Sequence, residues 1–385
     1  MKRLWVFVVT AALLLSTLLA SPARALEPVP QEAISISAPS AVLIERSSGE
    51  LIYEKDAHTA RPPASVTKVM TMLLVMEAVE RGDFTLEDMV TCSPHAASMG
   101  GSQIWLEEGE TLSGSDMIKA VAVVSANDCA VALAEHLAGS EESFVSRMNE
   151  RAAELGMENT HFVDCTGLTD DEEHYTCAWD IALMSRELLK HDKIREYTTI
   201  WMDSLRGGES ELTNTNKLVR FFSGATGLKT GFTQRAMYCL SASAMRDGTE
   251  YIAVIMHAET SAQRFDDARA LLNYGFANYV SVPLRSPDAL PPVPVELGEA
   301  ESVQPMCSGP ESMLMEKGAA RELRYEVSLP ELWPAPVAEG EVLGELTVYS
   351  GDKVLSKVPL TASCGTERLT LWQIFARLCA RLLSF

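Results

Sequence analysis

The chain has 385 residues, 47% of them hydrophobic, and sets 32 Lys and Arg against 53 Asp and Glu, a formal balance of −21 at neutral pH. So acidic a protein excludes a nucleic-acid partner, because a phosphate backbone must be met by a basic face. The length is ample for a large buried core with a smaller domain beside it.

The N-terminus runs Met1-Lys2-Arg3, then apolar residues from Leu4 to Ala20, then Ala23-Arg24-Ala25. A basic start, an apolar stretch and a small-x-small site read as a secretory signal peptide over residues 1–25, with an uncleaved anchor as the alternative. Its removal leaves 29 basic against 53 acidic side chains, a balance of −24. Residues 26–280 read as one mixed α/β domain. Ala41 to Glu45 and Leu51 to Glu54 flank Ser47-Ser48-Gly49 and predict a hairpin. Helical periodicity covers Val66–Glu80, Gly114–Ser125, Ala130–Ala138, Glu141–Leu155 and Ala178–Leu189. Strand patterns return at Ala236–Ala244 and Tyr251–His257 around Asp247-Gly248. Strands at both ends predict a sheet built from the first and last thirds of the domain.

Proline density marks residues 281–294 as a stiff linker. Short alternating runs such as Leu323 to Leu329 and Gly344 to Tyr349 predict a small all-β domain over 295–362. Residues 366–385 form an amphipathic pattern: Thr370, Gln373, Arg377, Arg381 and Ser384 share one stripe, with Leu371, Trp372, Ile374, Phe375, Leu378, Leu382 and Leu383 around the rest. Arginines inside so short a segment argue against a spanning helix. The segment reads as an in-plane membrane anchor, with docking on its own protein as the alternative. Eight scattered cysteines read mainly as buried thiols, Cys165 and Cys177 being the pair close enough to test for a disulfide. No metal-ligand spacing and no phosphate-binding glycine loop appears, so neither a metal nor a cofactor is expected.

Three polar stretches carry the chemistry. Ser65-Val66-Thr67-Lys68 follows the extended Arg61-Pro62-Pro63-Ala64 and opens an apolar helix. A serine hydroxyl is a weak nucleophile until a base takes its proton. Lys68, three residues on, lies on the same helix face and supplies that base if burial lowers its pKa. The same residues also read as an N-cap serine with a solvent-facing lysine. Ser125-Ala126-Asn127 sits in a break between helices, where Ser125 can relay a proton and Asn127 can orient Lys68 and a substrate amide; the alternative is a simple helix junction. Lys229-Thr230-Gly231, with Phe232 and Thr233, reads as the start of an edge-facing strand. There Gly231 admits a substrate backbone, and Lys229 with Thr230 or Thr233 offers charge and donors to a carboxylate. The backbone N–H groups of Ser65 and Phe232 would form the oxyanion hole that acyl transfer needs.

In order and in their flanks, these stretches resemble the penicillin-binding D-alanyl-D-alanine carboxypeptidases, the serine peptidases of peptidoglycan. The matching blocks are Arg61 to Lys68, Ser125 to Asp128, Gly156 to Phe162 with Gly167-Leu168, and Thr226 to Thr233. The resemblance implies a transpeptidase-like, β-lactamase-like α/β (α+β) fold with a central antiparallel sheet and a helical subdomain, then a small all-β domain and a terminal amphipathic helix. It implies a Ser65 acyl-enzyme, peptidoglycan stem pentapeptide as substrate, β-lactams as covalent inhibitors, and a place at the outer face of the cytoplasmic membrane. Phe232 stands where relatives often carry His or Tyr. Cys129, directly behind Asp128, is expected to make the site sensitive to thiol reagents. Asn159 and His161 read as structural. Two other readings compete: a serine β-lactamase, against which stands the lack of a Glu-x-x-x-Asn spacing, and an inert sensor, against which stands the presence of Ser65, Lys68 and Lys229.

Overall fold

A computed structural model describes residues 27–320 and 322–383, so the segment read as a signal peptide, residues 1–25, lies outside the described residues. The chain divides into two compact units between Tyr279 and Val280. In the first, strands β1 (Ser40–Glu45), β2 (Leu51–Lys55), β3 (Ala225–Thr233), β4 (Met237–Arg246) and β5 (Thr249–Ala258) form an antiparallel sheet in the order β2-β1-β5-β4-β3. The first and last thirds of the unit meet at β1 and β5, as the sequence pattern predicts. Asp247 and Gly248 both take positive φ, 50° and 77°, which is what a two-residue hairpin turn demands.

The sequence between β2 and β3 is mostly helical: α1 (Lys68–Arg81), α2 (Gly114–Val123), α3 (Asn127–Ala138), α4 (Glu141–Glu154) and α5 (Ala178–Leu188). Helix α1 buries Val69, Met70, Met72, Leu73, Val75 and Met76, so apolar side chains face its neighbours in most directions and it sits in the core. Each such side chain contributes up to about 1.5–3 kcal/mol. The helix stops at Gly82, whose φ of 75° puts it in the left-handed cap conformation. A last helix, α6 (Ser261–Asn278), packs on β4 and β5, while α5 packs on β1 and β5. Strand β5 is buried along nearly its whole length, as a strand covered by helices must be.

Helix α6 escapes the sequence reading for a physical reason: Arg264 and Asp267 are both buried on its inner face, where periodicity looks for apolar residues. Asp267 accepts hydrogen bonds from the Ser37 and Ala38 N–H groups, and Arg264 donates to the carbonyls of Gly231 and Cys239. Two short hairpins, Met89–Thr91 with Thr111–Ser113 and Met202–Leu205 with Ser210–Thr213, are likewise too brief to show a period.

In the second unit, β6 (Pro305–Cys307), β7 (Leu323–Ser328), β8 (Val342–Ser350) and β9 (Lys353–Ala362) form a sheet in the order β6-β9-β8-β7. The proline-rich stretch 281–294 is not a bare tether. Leu284 is buried with Leu346, Val348, Val358 and Leu360, its N–H donates to Glu311, and Val293–Glu296 is itself a strand. The prolines stiffen a segment that still contributes apolar side chains to the unit's core. Helix α7 (Leu371–Leu383) starts five residues later than the amphipathic pattern. Thr366 instead exchanges backbone hydrogen bonds with Val337, and a capping box between Thr370 and Gln373 opens the helix.

Candidate active site

The turn that carries Ser65 is a single 3-10 turn, Ala64–Thr67, leading straight into α1. Lys68 is completely buried, and its Nζ has three partners: Ser65 Oγ at 3.1 Å, Asn127 Oδ1 at 2.5 Å and the Thr166 carbonyl at 2.8 Å. Asn127 is held in turn, its Nδ2 donating to the Gly100 carbonyl at 2.7 Å and its backbone N–H to Ser102. That contact fixes which end of the amide faces Lys68. Two of the three partners of Nζ, the Asn127 and Thr166 oxygens, can only accept. They take two N–H bonds of a neutral amine and leave its lone pair directed at Ser65, the one partner with a proton to give. Burial lowers the Lys68 pKa to about 8, against the upward pull of Asp164 and Asp128. The alternative of a solvent-facing lysine is excluded by that burial.

Asn127 is the first residue of α3 rather than part of the break before it; the break is Ser125-Ala126. Ser125 adopts φ of 67°, an uncommon conformation for a non-glycine residue, and its buried Oγ has no hydrogen-bond partner among the described residues. Lys229-Thr230-Gly231 lies in the second half of the edge strand β3 rather than at its start. The strand begins earlier, at Ala225, with a register shift between Ala225 and Gly227. Gly231 packs on the Ser65 turn so closely that a Cβ there would sit 2.8 Å from the Pro63 carbonyl and 3.1 Å from the Ser65 nitrogen. Phe232 follows with an exposed ring. Lys229 is fully buried and donates to the Thr230 carbonyl at 2.9 Å. Burial, then the Lys68 and Arg264 cations, push its pKa well down. Thr230 Oγ1 donates to Thr215 Oγ1, and Thr233 Oγ1 accepts from the Ala236 N–H.

The supporting residues are those that sequence reasoning passed over. Asp164 accepts from the N–H groups of Thr166, Gly167 and Thr169 and so folds the loop whose Thr166 carbonyl meets Lys68. Asp128 does the same for Ile104, Leu106 and Cys129. Arg206 bridges Glu110, the Ile104 carbonyl and Ser210, bordering a cavity of about 780 Å3 that reaches Val124, next to Ser125. For Asp164 the signal in the sequence is only an acid two or three residues ahead of Thr166 and Gly167, which marks loops everywhere; Asp128 and Arg206 act on segments distant in sequence and leave no local signal. His161 holds backbone through Nδ1 to the Glu173 carbonyl, while at Asn159 it is the main-chain N–H that donates, to the Asp180 carboxylate. Among the described residues no cluster of three or more His, Cys, Asp or Glu side chains is placed to hold a metal ion.

Residues 27–260 match the family profile described as D-alanyl-D-alanine carboxypeptidase, and residues 283–367 match that of the penicillin-binding protein 5 C-terminal domain. The chain belongs to the D-alanyl-D-alanine carboxypeptidase family. Within it, D-alanyl-D-alanine carboxypeptidase DacF of Bacillus subtilis is 42% identical over 330 residues, 84% of this chain and 85% of that relative. DacC of Escherichia coli is 32% identical over 346 residues, 87% of this chain and 86% of DacC. Among solved structures, penicillin-binding protein 5 of Haemophilus influenzae superposes with a TM-score of 0.72 at 27% identity, over 89% of this chain and all of that one. Penicillin-binding protein D2 of Listeria monocytogenes in its ampicillin-bound form gives 0.58 at 32% identity, over 63% of this chain and 98% of that one. The fold is the transpeptidase-like one that the motifs imply, with the small β domain following.

The carboxypeptidase family resemblance leaves Cys129 unexplained, and here the expectation fails. The thiol is fully buried and its pKa is pushed well above the ordinary value by that burial and by Asp128, so it offers reagents neither access nor thiolate. All eight cysteines are free, Cys165 and Cys177 included. A sharper constraint lies at Gly167, with φ of 75°: a Cβ there would fall 1.9 Å from the Ala64 carbonyl oxygen and 2.6 Å from Thr67 Oγ1. Gly167→Ala therefore has to push the loop off the Ser65 turn. It is expected to slow acylation by a penicillin by about 10²-fold in a folded protein, measured by stopped flow with circular dichroism as the folding control. A wild-type rate would show that the loop does not hold the turn.

Proposed function

We propose that this protein removes the terminal D-alanine from peptidoglycan stem pentapeptides through an ester on Ser65. The observation that carries the reading is the surrounding of Lys68 Nζ, in which Ser65 Oγ is the one partner able to give up a proton. In the reaction Ser65 Oγ attacks the carbonyl carbon of the scissile D-alanyl-D-alanine bond as its proton passes to the Lys68 amine. The Ser65 and Phe232 N–H groups receive the oxyanion, which is more highly charged than the ground-state carbonyl and so gains more from them. Collapse breaks the C–N bond, Ser125 relays a proton to the departing amine, and D-alanine leaves. Water then hydrolyses the ester by the same route in reverse. Lys229, with Thr230, Gly231 and Thr233, receives the terminal carboxylate. β-Lactams acylate the same Ser65.

Mass spectrometry of a stem pentapeptide incubated with the protein is expected to show loss of one D-alanine, abolished by penicillin and by Ser65→Ala. Intact pentapeptide with the untreated protein would overturn the assignment. Because Lys68 must be a free amine to act as base and its pKa is lowered to about 8, penicillin acylation should rise with pH and level off above 8. At pH 6 it should be about 10²-fold slower than on the plateau. A flat profile between those values would remove Lys68 from the role of base.

We infer further that the protein is exported and lies on the outer face of the membrane, its C-terminal helix in the plane of the lipid surface. No helix among the described residues is long and apolar enough to cross a membrane. The polar stripe of α7 faces its own unit, Gln373 bonding to Glu299 and Arg377 donating to the Gly298 and Glu299 carbonyls. Leu371, Trp372, Phe375 and Leu378 are all more than half exposed, which is costly in water and favourable at an acyl boundary. Residues 26–385 should co-sediment with lipid vesicles and residues 26–370 should not. Equal sedimentation of the two would remove the helix as the anchor.

A further inference from the structure

His174 is buried in the loop that leads into α5, and nothing in the reaction above uses it. Its ring is held from both sides. Nδ1 accepts a hydrogen bond from the Val163 backbone N–H at 3.1 Å, so Nδ1 carries no proton. Nε2 lies 2.8 Å from Thr67 Oγ1, and Thr67 has its single hydroxyl proton engaged with the Ala64 carbonyl at 2.9 Å. Nε2–H must therefore be the donor, and the imidazole is neutral. The hydrogen bonds run in one direction, from His174 to Thr67 to the Ala64 oxygen.

That oxygen belongs to the peptide unit whose other end is the Ser65 N–H. The unit is planar, so fixing the carbonyl fixes the direction of the N–H. The hold is needed, because Ala64 sits at φ of 48°, where an alanine is strained; Gly167 packs against the same carbonyl with no room for a side chain. We propose that His174 is a positioning residue for acylation: acting through Thr67, and only as the neutral Nε2–H form, it aims the Ser65 N–H at the oxyanion. The inference rests on the acyl-enzyme reading given above.

Protonation of Nδ1 would set an N–H against the Val163 N–H, two donors facing each other, and the ring would have to leave its place. The titratable groups around it are Asp164 and Asp171 in its own loop, His161 on the segment paired with Tyr175, and Lys68 on α1; Phe162 packs edge-on against the ring. Burial dominates and lowers the His174 pKa, with the two aspartates pulling upward and the neighbouring His161 and Lys68 downward. For a base whose folded pKa is depressed, the arrangement is fully present above the ordinary imidazole value and is lost as pH falls through the lowered folded value.

Glutamine offers the same pair of functions, an acceptor oxygen and a donor nitrogen on one carbon, and does not titrate. The test is the second-order rate of acylation by a penicillin from pH 5 to 9 for wild type, His174→Gln and His174→Leu, with D-alanine release measured at pH 8. At pH 8 the glutamine variant should stay within about threefold of wild type. The leucine variant should lose about 10- to 100-fold in kcat with KM little changed, since an oxyanion donor acts on the transition state. Below the Lys68 ionisation the logarithm of the wild-type rate should climb with pH at a slope of about one, steepening to about two where His174 also titrates; the glutamine variant should keep a slope of about one throughout. Identical slopes for wild type and His174→Gln would overturn the proposal, as would a folded His174→Leu of wild-type rate. If the leucine variant does not fold, 15N chemical shifts of the wild-type ring still decide: an Nδ1–H tautomer is incompatible with the relay. Failure of the wild type itself to release D-alanine at pH 8 would instead sink the carboxypeptidase reading, while penicillin acylation continues to report on His174.

Discussion

A lysine nitrogen without a counter-ion, sealed from water, is the constraint around which this molecule is arranged. Lys68 is fully buried, and a buried ammonium beside a carboxylate would stay charged and useless as a base. Asp164 and Asp128 are near enough to act on it, yet their oxygens are committed to backbone N–H groups, Asp164 to the 166–169 loop and Asp128 to the 104–106 segment. What touches Nζ is neutral: an amide oxygen, a peptide carbonyl and the serine. The acids thus shape the loops that present those dipoles and leave the amine free to lose its proton.

Holding three partners on one nitrogen requires three separate pieces of chain to converge, and the backbone is bent to achieve it. Ser125 and Ala64 both take positive φ, and Gly167 and Gly231 lie where any side chain would collide with the Ser65 turn. Strain of this kind, on the order of 1–3 kcal/mol at each non-glycine position, persists only if the surroundings over-determine it. Here they do so through the apolar helices α1, α2 and α3, whose buried residues belong to one core.

The sequence discloses the groups that react better than the groups that hold them. Ser65 and Lys68 are legible because a spacing of three places them on one helical face, and Lys229 to Gly231 because a strand pattern surrounds them. The groups that complete the site include peptide oxygens, that of Thr166 on Lys68 and that of Gly100 on Asn127, and a carbonyl leaves no mark in residue type. Helix α6 is hidden by Arg264 and Asp267, buried polar residues that break the apolar stripe, and the segment 281–294 by prolines that conceal how deeply Leu284 is packed. In each case the failure comes from tertiary partners that satisfy a group the sequence alone would leave in water.

Lys229 completes the electrostatic argument. Two fully buried amines and the guanidinium of Arg264 push against one another, and among the described residues neither lysine forms an ion pair. In the proposed reaction the missing charge is the free carboxylate of the substrate. Its arrival favours the ammonium form of Lys229, and a cation held there favours the unprotonated form of Lys68, the form that accepts the Ser65 proton. A peptide blocked at its C-terminus brings no such charge and leaves the desolvation of Lys229 uncompensated. In the proposed reaction, preference for a terminal residue then follows from the burial of Lys229 beside Lys68 and Arg264.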